Sequence, residues 1–319
     1  MNQLAPQLTL SIMLTVAASA AIYPDPPGIV RLAPAIAHSP ALQTNVDQAV
    51  NLALERFASR DLRPDQLAVT VVDLGSPDRP VSASHRGSEP IYPASVVKLF
   101  YLVATHQWLE DGRLSDTPEL RRALRDMIVH SYNEPTHYLV DLLTGTTSGP
   151  ELPEAELELW HDRRNAVNRY FTGLGYQGIN VNKKPWCEGP YGRETQAIQR
   201  FQPSRNWLTT DATARLLTGV FLDQLVSPAR CSEMRDLLRR DPGASDADQD
   251  PQARFTGPAL PPGSLLWSKA GWTSQTRHDA TCIQLPDGRK LVLVVFTVDH
   301  SGETQIIPTI AGAILQRLR

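Results

Sequence analysis

Apolar positions recur with a helical period near the amino end, through the middle and at the carboxyl end of the chain. Strand-like runs lie between them. Val46, Ala49, Val50, Ala53, Leu54 and Phe57 fall three or four apart, and Thr44 and Asp47 have capping-box spacing, so a helix is expected from Thr44. Residues 68–74 form a β-rich run, Gly75-Ser76-Pro77-Asp78 a turn, and residues 81–85 a second short strand. A helix-rich middle follows from Ser95 to about residue 238, with the clearest periods over 99–109, 120–129 and 212–225. Residues 241–263 are rich in Asp, Ala, Pro and Gly and read as a polar loop. Strands return over 265–268, 280–285 and 290–298, the last after a turn at Asp287-Gly288. Residues 305–318 close the chain as an amphipathic helix whose first turn tolerates Pro308.

This order has a simple physical solution in the α/β (α+β) class. Both chain ends supply one antiparallel sheet, the terminal helices cover one of its faces, and the helical middle packs on the other. The expected domain spans 41–319, with an α/β part from 41–94 and 264–319 and a helical part from 95–263. Ahead of it, residues 1–22 read as a signal peptide and residues 23–40, rich in Pro and Ala, as a linker. The apolar stretch from Leu8 to Ile22 ends near a small-x-small site at Ala18-Ser19-Ala20, although no Lys or Arg precedes it. It is shorter than the ~20 apolar residues of a membrane span. A periplasmic or secreted monomer without stable membrane insertion is the expectation.

Composition narrows the chemistry. A net charge of -3 gives no concentrated basic face, which argues against nucleic acid as a partner. Cys187, Cys231 and Cys282 are odd in number and widely spaced, matching neither a disulfide framework nor a zinc site. His130, His137, His161 and His278 match no metal-ligand spacing, and no cofactor is implied. Only Lys98, Lys183, Lys184, Lys269 and Lys290 are lysines, so each is informative.

Three short motifs carry candidate chemistry. In Pro93-Ala94-Ser95-Val96-Val97-Lys98, a serine in a helical first turn sits at the positive end of the macrodipole with a lysine one turn on. A serine hydroxyl becomes an effective nucleophile when a neighbouring base takes its proton. Alone, Ser95 reads equally as a helix cap. In Ser131-Tyr132-Asn133 a hydroxyl able to relay a proton precedes an amide able to hold a carbonyl. Alone, Asn133 reads as a cap for the helix starting at Glu134-Pro135. In Ser268-Lys269-Ala270-Gly271-Trp272, an edge-strand lysine facing the cleft can anchor a carboxylate. Gly271 permits close backbone approach, and the N–H groups of Trp272 and Ser95 can form an oxyanion hole. Alone, Lys269 reads as a charge that protects a strand edge.

Together, in this order, the motifs resemble the S-x-x-K, S-x-N and K-T-G set of class A serine β-lactamases and the related DD-peptidases. The resemblance runs from about residue 41 to 319. It includes Arg205-Asn206-Trp207-Leu208-Thr209-Thr210, similar to the segment closing the omega loop, and Thr276-Arg277-His278-Asp279-Ala280, similar to the strand after K-T-G. It implies Ser95 as the acylated nucleophile, Lys98 and Ser131 as proton-transfer groups, Asn133 as a substrate-amide ligand and Lys269 as a carboxylate anchor. Gly271, Trp272 and Arg277 are further candidate substrate-binding residues.

The chain departs from the family pattern in four ways. Ala270 replaces a hydroxyl residue, and Tyr132 replaces the usual aspartate. The spacing from Lys98 to Ser131 is shorter than in class A, and the E-P-E-x-N signature of the omega loop is missing. Glu188 is the candidate deacylation base, with Glu194 second. Three readings remain open: a β-lactam hydrolase, a DD-peptidase or related amidase or esterase acting on peptidoglycan peptides, and a non-catalytic cell-wall-binding relative.

Overall fold

A computed structural model describes residues 36–186, 189–243 and 250–317. The signal segment 1–22, most of the linker (23–35), Cys187 and Glu188 lie outside the described residues. The strands are β1 (Ala37–His38), β2 (Leu67–Asp73), β3 (Val81–His85), β4 (Arg239–Arg240), β5 (Leu265–Trp272), β6 (Thr276–Gln284) and β7 (Lys290–Val298). The helices are α1 (Pro40–Arg56), α2 (Lys98–Glu110), α3 (Pro118–Ile128), α4 (Asn133–Thr144), α5 (Glu154–Arg164), α6 (Ala166–Gly173), α7 (Arg193–Arg200), α8 (Thr210–Phe221), α9 (Pro228–Leu238) and α10 (Ile306–Arg317). The strands form one sheet in the order β1-β3-β2-β7-β6-β5-β4. The two chain ends meet where β2 pairs antiparallel with β7 from Leu67↔Thr297 to Asp73↔Leu291. Every pairing is antiparallel except that of the two-residue β1 with β3.

Period-two alternation in the strands separates two cores. Val69 and Val71 of β2 and Leu291, Leu293 and Val295 of β7 face one side, where α1 and α10 cover them. Ala68 and Val72 of β2, with Val292, Val294 and Phe296 of β7, face the helical middle. The layered architecture expected from the element order is therefore present. At its centre lies α2, where a run from Lys98 to His106 is buried on every face. A helix that is buried all round belongs to the interior of the fold.

Some element boundaries differ from expectation. The first helix begins at Pro40, not Thr44, because Ser39 Oγ caps Leu42 N at 3.3 Å and Pro40 fits the first turn. Thr44 is no cap, since its hydroxyl donates back to Pro40 O within the helix. The loop expected over 241–263 contains short 3-10 turns at Pro251–Arg254 and Gly257–Ala259.

A buried charge cluster holds the segment between α4 and α8 in place. Arg164, at the end of α5, donates to Glu194 Oε1 of α7 at 2.7 Å. Lys184 donates to Asp141 Oδ2 of α4 at 2.7 Å and to Ser148 Oγ at 2.8 Å, and Ser148 Oγ donates to Glu194. Arg164, Lys184 and Glu194 are all buried. Removing one partner leaves uncompensated buried charge, so Arg164→Met should destabilise the fold by about 3–5 kcal/mol in denaturant titrations. A loss below about 1 kcal/mol would mean that the cluster does not secure this segment.

Candidate active site

Ser95 enters the site on strained backbone. Ala94, immediately before it, has φ 45°, and Pro93 O accepts from Val96 N at 3.0 Å in the tight 3-10 turn Ala94–Val97 that leads into α2. A left-handed alanine costs of order 1–3 kcal/mol and persists only where its surroundings enforce it. His278 supplies part of that enforcement. Its Nδ1 accepts from Thr297 N, so Nε2 carries the proton and donates to Tyr92 O at 2.9 Å, just ahead of the turn. Burial pushes the His278 pKa down to about 4, so the neutral tautomer persists at ordinary pH. Ser95 itself caps nothing: no side-chain cap bond closes its turn, and the residue is partly exposed.

β5 is pressed against this turn at Gly271. A Cβ there would lie 2.7 Å from Pro93 O, 2.9 Å from Ser95 N and 3.0 Å from Val96 N, all backbone atoms. Only glycine permits the approach, which brings the end of β5 beside the serine.

Lys98, one helical turn on from Ser95, meets Ser131 and Asn133. Lys98 is fully buried and donates to Ser131 O at 2.5 Å and to Asn133 Oδ1 at 2.8 Å, with Ser131 Oγ at 3.4 Å. Ser131 has φ 60°, a second left-handed residue, held where Lys98 grips its carbonyl. Asn133 is not a helix cap. Its amide donates to Trp186 O at 3.2 Å, so it links α2 to the loop after Lys184.

Lys269 completes the group, but not as the exposed edge-strand charge expected from the sequence. It is fully buried, and its three ammonium protons go to Ser131 Oγ at 2.8 Å, Gln252 Oε1 at 2.6 Å and Ala270 O at 2.8 Å. Burial, reinforced by the neighbouring Lys98 and Arg240 cations, pushes its pKa well below the usual lysine value. On the opposite face of the sheet, Asp279 accepts from Ser268 Oγ and Thr256 Oγ1, and burial raises its carboxyl to about 6. Gln252 and Arg240 carry no recognisable motif spacing and escape the sequence reading.

Not every candidate residue joins this cluster. Strand alternation puts Trp272 and Arg277, which pair across β5 and β6, on the face opposite Lys269. The Arg277 guanidinium stacks 3.7 Å from the Phe255 ring centroid, and the Trp272 ring tilts against Phe255. Arg277 is thus placed away from Lys269, while the backbone of Trp272 remains beside Gly271 at the end of β5. Glu194 lies in the buried charge cluster with Arg164 and Ser148, its carboxylate already engaged.

A family profile described as "Beta-lactamase enzyme family" matches residues 51–318. The chain belongs to that family. Among solved structures it is similar to a β-lactamase from Sphaerobacter thermophilus DSM 20745, at 21% identity and a TM-score of 0.61, covering 86% of this chain and 96% of that one. It is also similar to PBP-A, at 16% identity and a TM-score of 0.62, covering 89% and 98% of the two chains. A third similar structure is a β-lactamase from Chitinophaga pinensis DSM 2588, at 18% identity and 0.61, covering 86% and 98%. Among curated proteins, no match is found. At these identities the likeness is one of fold.

The Gly271 contact yields a signed prediction. Gly271 has no left-handed φ, and Gly→Ala at a roomy position of that kind stabilises by ~0.4–1 kcal/mol. Here overlap with the Ser95 turn should reverse the sign, with Gly271→Ala destabilising by about 1–3 kcal/mol in denaturant titrations. A stabilised variant would mean that β5 does not bear on the serine.

Proposed function

We propose that the chain is a serine hydrolase that opens β-lactams through an acyl-enzyme on Ser95. The observation that carries this reading is the convergence of Lys98, one helical turn on from Ser95, and Lys269 on one hydroxyl, Ser131 Oγ. In its neutral form Lys98 takes the Ser95 proton as Oγ attacks the lactam carbonyl carbon. The N–H groups of Ser95 and Trp272 receive the developing oxyanion. As the C–N bond breaks, Ser131 Oγ passes its proton to the leaving nitrogen and is resupplied through the lysines. Asn133 holds the substrate amide, and Lys269 with Ser131 attracts the carboxylate. Ala270 adds no hydroxyl to that contact, and its methyl is buried in the second core. An exported, periplasmic or secreted location suits such a substrate. No helix of the described residues is long and apolar enough to cross a membrane.

A second reading has its own support. Glu194 is tied to Arg164 and Ser148, and the loop beside Asn133 presents Lys184, Pro185 and Trp186, none of them a carboxylate. Glu188 remains the candidate deacylation base. If it does not serve, the acyl-enzyme persists and the protein behaves as a penicillin-binding DD-peptidase relative. A PBP-A variant has been solved as an acyl-enzyme complex with penicillin G.

Time-resolved intact-mass spectrometry after adding a penicillin tests the proposal. The wild type should gain one penicillin mass and Ser95→Ala none, without loss of fold. An adduct on Ser95→Ala would refute the assignment. Decay of the adduct supports hydrolysis, with Glu188→Gln then slowing decay by ~10²–10⁴. Persistence of the wild-type adduct supports the second reading. Lys98→Arg keeps the charge but supplies no base, because arginine stays protonated. Acylation should therefore collapse in that variant, and near-normal acylation would reduce Lys98 to a structural part.

A further inference from the structure

Gln252 lies in a 3-10 turn outside the three motifs, yet it is buried and makes four hydrogen bonds among the described residues. Its Oε1 accepts from Lys269 Nζ at 2.6 Å and from Ala270 N at 3.1 Å. Its Nε2 donates to Ile128 O and Val129 O, both at 2.9 Å. Those carbonyls end α3, and the chain reaches Ser131 two residues later. One side chain thus ties the strand that carries Lys269 to the turn that carries Ser131. Arg240 makes a parallel strap, donating to Ile128 O at 2.8 Å and to Ser268 O at 3.1 Å.

Proton accounting shows what the first strap adds. An ammonium has three donors. Two of those of Lys269 go to Gln252 and Ala270 O, which leaves the third aimed at Ser131 Oγ at 2.8 Å. A serine hydroxyl that accepts from a lysine keeps its own proton to donate elsewhere. An amide oxygen at this point is neutral, so it directs the ammonium without forming an ion pair with it.

We propose that Gln252 is a positioning residue that orients Lys269 toward Ser131 and so sets the direction of proton delivery in the site. This rests on the acyl-enzyme reading, with Ser131 as the proton relay. The charged groups that act on Lys269 are Lys98 from α2, Arg240 from β4 and Asp250 ahead of the 3-10 turn, with Asp279 of β6 on the opposite face of the sheet. None of these accepts a hydrogen bond from Lys269, whereas Gln252 does. Hydrogen bonds to a charged form favour it, and a carboxylate favours a nearby ammonium more strongly than an amide does. Replacing the amide by a carboxylate should therefore raise the Lys269 pKa, and replacing it by an alkyl group should lower it.

The test combines two readouts on the full chain. With only five lysines, side-chain carbon and nitrogen resonances can be assigned from Lys→Arg variants and titrated in wild type, Gln252→Glu and Gln252→Leu. Lys269 should titrate higher in Gln252→Glu and lower in Gln252→Leu, while Lys290 stays fixed. The acylation rate with penicillin should fall by ~10²-fold in Gln252→Leu, as expected for misplaced reacting groups. Its alkaline limb should move to lower pH, and in Gln252→Glu to higher pH, if the protonated form of Lys269 is the one that serves Ser131. Lys269 titrations that coincide in the three folded proteins would overturn the proposal, as would shifted titrations with an unmoved acylation profile. If Gln252→Leu fails to fold, Gln252→Glu alone decides by the same criteria. Failure of the underlying reading looks different: wild type then forms no Ser95 adduct at any pH, and the positioning role assigned to Gln252 falls with it.

Discussion

The site depends on the burial of two lysines around one hydroxyl. Lys98 and Lys269 are both fully enclosed, and both approach Ser131 Oγ. Two like charges removed from water repel each other and lose hydration, so the arrangement survives only if oxygen acceptors surround it. Ser131 O, Asn133 Oδ1, Gln252 Oε1 and Ala270 O supply those acceptors. The same requirement gives reason for the left-handed backbone at Ser131, which turns its carbonyl toward Lys98. Depressed lysine basicity is the direct consequence at Lys269, where burial and the neighbouring cations disfavour the charged form.

The scaffold holds this costly group through elements distant in sequence. The 3-10 turn Ala94–Val97 contributes Ser95 and α2 contributes Lys98 from the buried centre of the helical layer, while β5 arrives from the sheet and presses against the serine turn at Gly271. His278 fixes the carbonyl of Tyr92 from β6, and Arg240 and Gln252 fix the end of α3. On the far side, Asn133 connects to Trp186, and the Asp141–Lys184–Glu194–Arg164 cluster holds that loop on α4. Each link joins a catalytic candidate to a packed element, so precision at the serine comes from the rigidity of the two cores.

Sequence pattern makes the frame legible because strand alternation and helix periodicity are local. β3 and β7 fall at the expected residues, and the terminal helices cover the expected face. The three motifs are legible because their spacing encodes proximity within a turn or strand. What escapes is long-range. The two-residue strands β1 and β4 are too short for a periodic signal, and the contacts of Gln252 and Arg240 with α3 span over a hundred residues. A lysine on a short strand reads as solvated, and only the three-dimensional placement of α3 and the 3-10 turn over Lys269 reveals its burial. Asn133 reads as a cap because nothing local shows that Trp186 O waits for its amide. Arg277 reads as cleft-facing until the pairing with Trp272 fixes its face of the sheet.

A crystal structure of the protein soaked with a penicillin tests the central claim most directly. The predicted result is continuous density from Ser95 Oγ to the former lactam carbonyl carbon. The carbonyl oxygen should lie between the backbone nitrogens of Ser95 and Trp272, and the freed ring nitrogen should face Ser131 Oγ. Density for an intact, unattached lactam, or an adduct whose ring nitrogen faces away from Ser131, would contradict the assignment of Lys98, Ser131 and Lys269 as the proton-transfer group of this site.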